Sequence, residues 1–126
     1  MDKVVHFEIP ADNVERAAKF YKKIFNWELT KTPIMDDFYL VNTVKTDEKG
    51  IPITPGAING DIGKRSELNK YTTIVIKVQD IDETINKLKK QKCKVLMEKQ
   101  KIGDMGIYTK FIDCEGNIMG LWQDLK

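Results

Sequence analysis

His6 is the only histidine of the chain, and Glu8 follows it two residues later in the stretch VVHFEIP, Val4 to Pro10. An imidazole titrates near neutral pH, with an ordinary pKa of about 6.5, so it can give or take a proton or ligate a metal. A carboxylate beside it can hydrogen-bond the ring, act as a base or add a second ligand. The stretch predicts a strand, in which successive side chains point to opposite faces. Val5, Phe7 and Ile9 then share one face, and Val4, His6 and Glu8 share the other. Residues two apart on a strand lie roughly 6–7 Å from each other. His6 and Glu8 can therefore meet one ligand only with favourable rotamers. Two readings of His6 stand side by side: a ring hydrogen-bonded for structural reasons, with Glu8 as partner, or a group that touches a ligand and moves a proton.

The elements that position this pair follow from periodicity. Asp12 or Asn13 can cap a helix whose apolar positions are Val14, Ala17, Ala18, Tyr21, Ile24 and Phe25, ending near Asn26. WELTKT and DFYLVNTVKT predict strands, DEKGIP a turn, and ITPGAING a short strand broken by Pro55 and Gly56. DIGKRSELNK, residues 61–70, is polar and reads as a solvated linker. YTTIVIKV then predicts a strand with Ile74, Ile76 and Val78 on one face. Asp80 caps a second helix bearing Ile81, Thr84, Ile85 and Leu88. CKVLME, GDMGIYTKFID and the residues after the Glu115–Gly116 turn supply further strands.

One constant displacement of the sequence pairs His6 with Thr73, Phe7 with Ile74, Ile9 with Ile76, Val14 with Ile81, Ala18 with Ile85 and Tyr21 with Leu88. Asn13 pairs with Asp80. What repeats is the order strand, helix, strand, strand, strand, with apolar faces in phase, and such a repeat outranks local propensity. The expected fold is α+β: unit one over 1–60, a linker over 61–70 and unit two over 71–126, joined in a curved, cup-like mixed sheet. Phe7, Ile9, Ile74 and Ile76 pack under the helices. The inner wall carries His6 and Glu8, then Tyr71, Thr73 and Val75, then Ile118, Gly120 and Trp122. A concave wall with few polar groups is the usual form of a small-molecule site.

HFEIPADNVERAAKFYKKIFNWEL resembles the opening of the vicinal oxygen chelate superfamily, which includes glyoxalase I, bleomycin-resistance proteins, fosfomycin-resistance enzymes and extradiol dioxygenases. FIDCEGNIMGLWQ is similar to its closing motif. The resemblance spans nearly the whole chain. It implies up to four metal ligands, His or Glu, one on each of four inner strands. His6 falls at the first of these positions. Thr73 takes the second-unit position, Gly120 the one on the last strand, and Asn59 the remaining one. One of four is matched, which argues against a divalent ion unless Glu8 helps. The ions such ligands suit, nickel, zinc, iron, cobalt or manganese, would act as Lewis acids.

Other features restrict the function. The 126 residues fit one domain of ordinary size, and 41% are apolar. A formal net charge of +2 gives no field for nucleic acid. The lysines of KLKKQKCK suit a helix C-terminus. Cys93 and Cys114 make no metal or disulfide spacing, and no apolar run could span a bilayer, so a cytoplasmic protein is expected. Trp27 and Trp122 both suit partial burial in the core, and Trp122 also offers a flat surface to a ligand. The expected partners are a small molecule and a second copy of the chain, without nucleic acid or membrane. The expected function is a glyoxalase-related protein with a degenerate metal site, acting as a lyase or isomerase through an enolate-type intermediate. The alternative is a non-catalytic protein that sequesters a small molecule of antibiotic type.

Overall fold

The computed structural model describes residues 1–125. Its elements are β1 (Lys3–Ala11), α1 (Val14–Phe25), β2 (Glu28–Lys31), β3 (Phe38–Asn42), β4 (Asn59–Lys64), β5 (Thr73–Lys77), α2 (Ile81–Lys90), β6 (Gln100–Ile102), β7 (Gly106–Ile112) and β8 (Ile118–Asp124). The order βαβββ occurs twice, as the repeat predicted, and the class is α+β. Two compact units result, His6–Thr72 and Met1–Val5 with the chain from Thr73 onward.

In the first unit the strand order is β2-β3-β4-β1. β4 runs parallel to β1, with His6 opposite Asn59, Glu8 opposite Asp61 and Ile9 opposite Ile62. β4 runs antiparallel to β3, and β3 to β2. α1 covers one face because Val14 and Ala18 recur on it at helical spacing. Its core joins Ala11, Val14, Val41 and Ile62 to Phe7, Ile9, Tyr21 and Trp27. The Trp27 ring stacks on Tyr21 at 4.9 Å. Asn13 caps the helix by accepting from Arg16 N at 2.9 Å, an interaction worth about 1 kcal/mol. Asn26 ends it in the left-handed conformation, φ 58°.

The second unit repeats the plan in the order β5-β8-β7-β6. β5 is parallel to β8, and β8 antiparallel to β7. Asp80 caps α2 by accepting from Glu83 N at 3.0 Å. Val78, Ile81, Phe111 and Leu121 form the core with Ile76, Ile85 and Leu88.

Four sequence expectations need correction. Residues 61–64 are not linker but the body of β4, with Asp61 and Ile62 buried. Gly60 and Gly63 disguise the strand, since neighbouring side chains fill their places: a Cβ on Gly60 would meet the Phe7 ring, and one on Gly63 the Phe38 ring. ITPGAING forms strand only from Asn59, because Pro55 removes a ladder donor and Gly56 turns at φ 83°. CKVLME is not a strand; Val95 makes a single bridge to Phe111, and the regular strand begins at Gln100. Ile74 is 39% exposed rather than under α2, lying outside the cluster that Ile76 and Val78 enter.

The turn before β8 carries a pH prediction. Asp113 accepts from Asn117 N at 2.9 Å, Asn117 Nδ2 at 3.0 Å and Glu115 N at 2.8 Å. The backbone bond from Asn117 leads in holding its carboxyl below the usual value of 3.8. A lowered folded pKa stabilises the fold above the unfolded value and loses that contribution as pH falls through the folded one. The stability of wild type over Asp113→Ala is expected to be full at neutral pH and to shrink in acid below the ordinary carboxylate range. Urea melts across that range check it.

Candidate functional site

β1 and β4 are parallel neighbours, so residues opposite each other in register share a face. His6 and Glu8 on β1 thus stand beside Asn59 and Asp61 on β4. His6 Nε2 lies 2.6 Å from Asp61 Oδ2. Asp61, rather than the Glu8 of its own strand, meets this nitrogen of the ring. The imidazole is 32% exposed and the carboxylate 10%. A carboxylate can only accept, so the neutral ring carries its proton on Nε2 and its lone pair on Nδ1. A buried acceptor that fixes the tautomer of a half-open imidazole is the arrangement of a general base held in one orientation.

Asn59 is fixed beside this pair. Its Oδ1 accepts from Thr43 N at 2.8 Å and from Val44 N at 3.4 Å. Turning the amide over would set its NH2 against two backbone donors, so the orientation is determined. Its Nδ2 is buried without a partner among the described residues. Leaving such a donor unsatisfied costs about 1–3 kcal/mol.

These donors do not fit the family's divalent ion. The Asn59 oxygen is engaged by backbone amides, and the carboxylate nearest His6 is in hydrogen-bond contact with the ring itself. Thr73 and Gly120, at two other expected ligand positions, offer a weak ligand and none. Among the described residues no group of three or more His, Cys, Asp or Glu side chains could hold a metal.

The remaining wall residues lie in two places. Tyr71, expected on a strand, precedes β5 and is 77% exposed. Thr73 and Val75 are buried on β5, and Val75 lies opposite Gly120. A Cβ on Gly120 would stand 2.8 Å from Val75 Cγ2 and 3.3 Å from the Tyr108 hydroxyl, so the space over this glycine is filled. Ile118 is half-buried opposite Ile112. The Trp122 ring lies across Gly106, and its Nε1 donates to Asp124 Oδ1 at 2.7 Å. Asp124 also accepts from Lys77 Nζ at 2.8 Å, which holds its carboxyl below the ordinary range.

Sequence reasoning missed two charged residues. Asp61 was hidden in the supposed linker; its parity with Asn59 was the available signal. Lys110 on β7 is only 6% exposed, with Nζ 5.9 Å from the Tyr108 ring centroid. A lysine that deep is rare, and a ring face below it offsets part of the lost hydration. Nothing in the strand pattern sets this lysine apart from a solvated one.

No curated protein sequence matches the chain. Among solved structures, a variant of Streptomyces coelicolor methylmalonyl-CoA epimerase in complex with 2-nitronate-propionyl-CoA is 15% identical, TM-score 0.70, over 98% of each chain. Methylmalonyl-CoA epimerase from Mycobacterium tuberculosis is 15% identical, TM-score 0.68, over 98% of this chain and 88% of that one. A superfamily member from Vibrio splendidus 12B01 is 12% identical, TM-score 0.66, over 98% of this chain and all of that one. At these identities the likeness shows the fold alone, and it is the fold that the repeat of βαβββ units predicted. The family model described as Glyoxalase/Bleomycin resistance protein/Dioxygenase superfamily matches residues 3–120, and the chain belongs to that superfamily.

Proposed function

We propose that the protein binds a small carbonyl compound at the face of β1 and β4 that bears His6, and that His6 moves a proton on it without a resident metal ion. The 2.6 Å contact between His6 Nε2 and Asp61 carries this reading, because it leaves the Nδ1 lone pair of the neutral ring as the base. Nδ1 takes a proton from the carbon next to the carbonyl. The C–H bond breaks, its electron pair moves onto the carbonyl oxygen, and return of the proton to carbon gives an isomer or exchanged substrate. This is the chemistry of an isomerase or of a lyase of the glyoxalase type, and it needs no oxidant or reductant.

Fold relatives named methylmalonyl-CoA epimerase suggest one probe, methylmalonyl-CoA. The glyoxalase resemblance suggests another, the hemithioacetal of methylglyoxal and glutathione. In D2O, exchange at the acidic carbon of one of these is expected above the buffer rate. His6→Ala is expected to lower it about 10²–10⁴-fold. Absence of exchange with either compound, measured by proton NMR, would overturn the proton-transfer reading for these substrate classes.

A second reading is sequestration without turnover, as in bleomycin-resistance members. The donor set around His6, whose Asn59 oxygen is engaged by backbone amides and whose nearest carboxylate is bonded to the ring, favours it because a Lewis-acid metal does not fit there. It predicts thermal stabilisation by ligand and only a modest loss in His6→Ala. Exposed Phe20, Ile24 and Phe25 on α1 supply an apolar surface for a second copy of the chain, and sedimentation reads that directly. No described helix is long and apolar enough to cross a membrane. Free Cys93 and Cys114 suit a reducing compartment, and on that ground we assign the protein to the cytoplasm.

A further inference from the structure

We infer that Asn59 is the electrophilic partner of His6: its Nδ2 donates a hydrogen bond to the ligand oxygen that becomes negative when His6 takes the proton. The inference rests on the proton-transfer reading above and names the group that takes over the charge-stabilising task of a metal. Three observations carry it. Asn59 is opposite His6 in the β1–β4 register, on the same face. The amide is locked, because Thr43 N and Val44 N both donate to Oδ1. The Nδ2 donor is buried and has no partner among the described residues.

The oxygen end of Asn59 has a structural task in accepting from Thr43 N and Val44 N, and the buried donor end has none among the described residues. Beside an imidazole base it has a chemical one. A donor that needs no reorientation stabilises an oxyanion most where water is excluded. Ligand entry must open the cover over Nδ2, and satisfying the orphan then favours the opened, bound form. The same asparagine makes a poor metal ligand, because the atom it presents is a donor. The ligand class is therefore a compound with an enolisable carbonyl or a planar carboxylate at the reacting end.

Asn59→Asp tests it. Aspartate keeps an acceptor for Thr43 and Val44 and deletes the donor. Oxalate, a planar dianion resembling an enediolate, is the probe. In nitrogen-15 NMR of wild type, the Asn59 side-chain pair, identified by its loss in the variant, is expected to shift saturably with oxalate. The backbone signals of Thr43 and Val44 in Asn59→Asp report whether the variant is folded; if it is not, Asn59→Ser identifies the pair. On a substrate that exchanges, Asn59→Asp is expected to lower kcat about a hundredfold with little change in KM. Asn59 signals that do not respond to oxalate overturn the inference, whether or not oxalate binds elsewhere. Responding signals without any proton exchange would instead overturn the role of His6, so the two failures are distinguishable.

Discussion

Replacing Asp61 with asparagine is expected to leave the fold in place and to scramble the tautomer of His6. In wild type the carboxylate accepts from Nε2 at 2.6 Å, and only a protonated Nε2 can donate to it. An asparagine offers an oxygen and an NH2 of nearly equal size. Its oxygen can receive Nε2–H, as Asp61 does, or its NH2 can donate to an Nε2 lone pair. The second arrangement puts the proton on Nδ1 and removes the base. Nitrogen-15 shifts of the imidazole report the two populations directly: one tautomer in the neutral ring of wild type, a mixture in Asp61→Asn. On any substrate that exchanges, the rate should fall about 10²–10⁴-fold, because the base is lost in part of the population and the carboxylate that stabilises the imidazolium in all of it. Asp61→Leu separates this from packing. It fills the buried site without any acceptor, so it should match Asp61→Asn in rate while differing from it in stability. A single unchanged tautomer in Asp61→Leu, where no acceptor remains for Nε2–H, would mean that Asp61 merely fills space, and the proton-transfer reading would lose its foundation.

The helices and the repeat were legible because their signals are local. Val14, Ala17, Ala18 and Tyr21 recur at helical spacing, and Asn13, Asn26 and Asp80 act where their side chains suggest. The His6 face was legible by strand alternation. The partner of His6 was not, since Asp61 lies 55 residues away and approaches only once β4 pairs with β1. β4 itself, NGDIGK, contains a single large apolar residue, Ile62. Its glycines look like loop residues until Phe7 and Phe38 are seen to occupy the space above them. The reverse error befell Val95, Leu96 and Met97. Their apolar run suggests a strand, yet it makes one bridge, from Val95 to Phe111. Hidden acceptors and borrowed volume are properties of pairs of segments, and one segment does not carry them.

Gly60→Ala is expected to destabilise the protein by about 3 kcal/mol or more, lowering the melting temperature by on the order of 10 °C. In an open strand the sign would be opposite, since alanine loses less backbone entropy than glycine, a gain of about 0.5–1 kcal/mol. Here the added Cβ would sit 2.4 Å from Phe7 Cδ1 and 2.4 Å from Phe7 O. The ring could turn, although it packs against Trp27 at 5.7 Å. The carbonyl oxygen belongs to the parallel neighbour, and moving it means widening β1 from β4. That widening separates the two strands that bring His6 to Asp61 and Asn59, so stability and tautomer should fail together. Phe7→Leu added to Gly60→Ala relieves the ring contact alone. The double variant should therefore recover only part of the loss in a denaturant melt, and its imidazole should still show a mixture of tautomers. Full recovery would assign the clash to the ring. A Gly60→Ala melt within a couple of degrees of wild type would mean that the β1–β4 spacing is soft, and a soft spacing could not hold a base and its acceptor at a fixed distance.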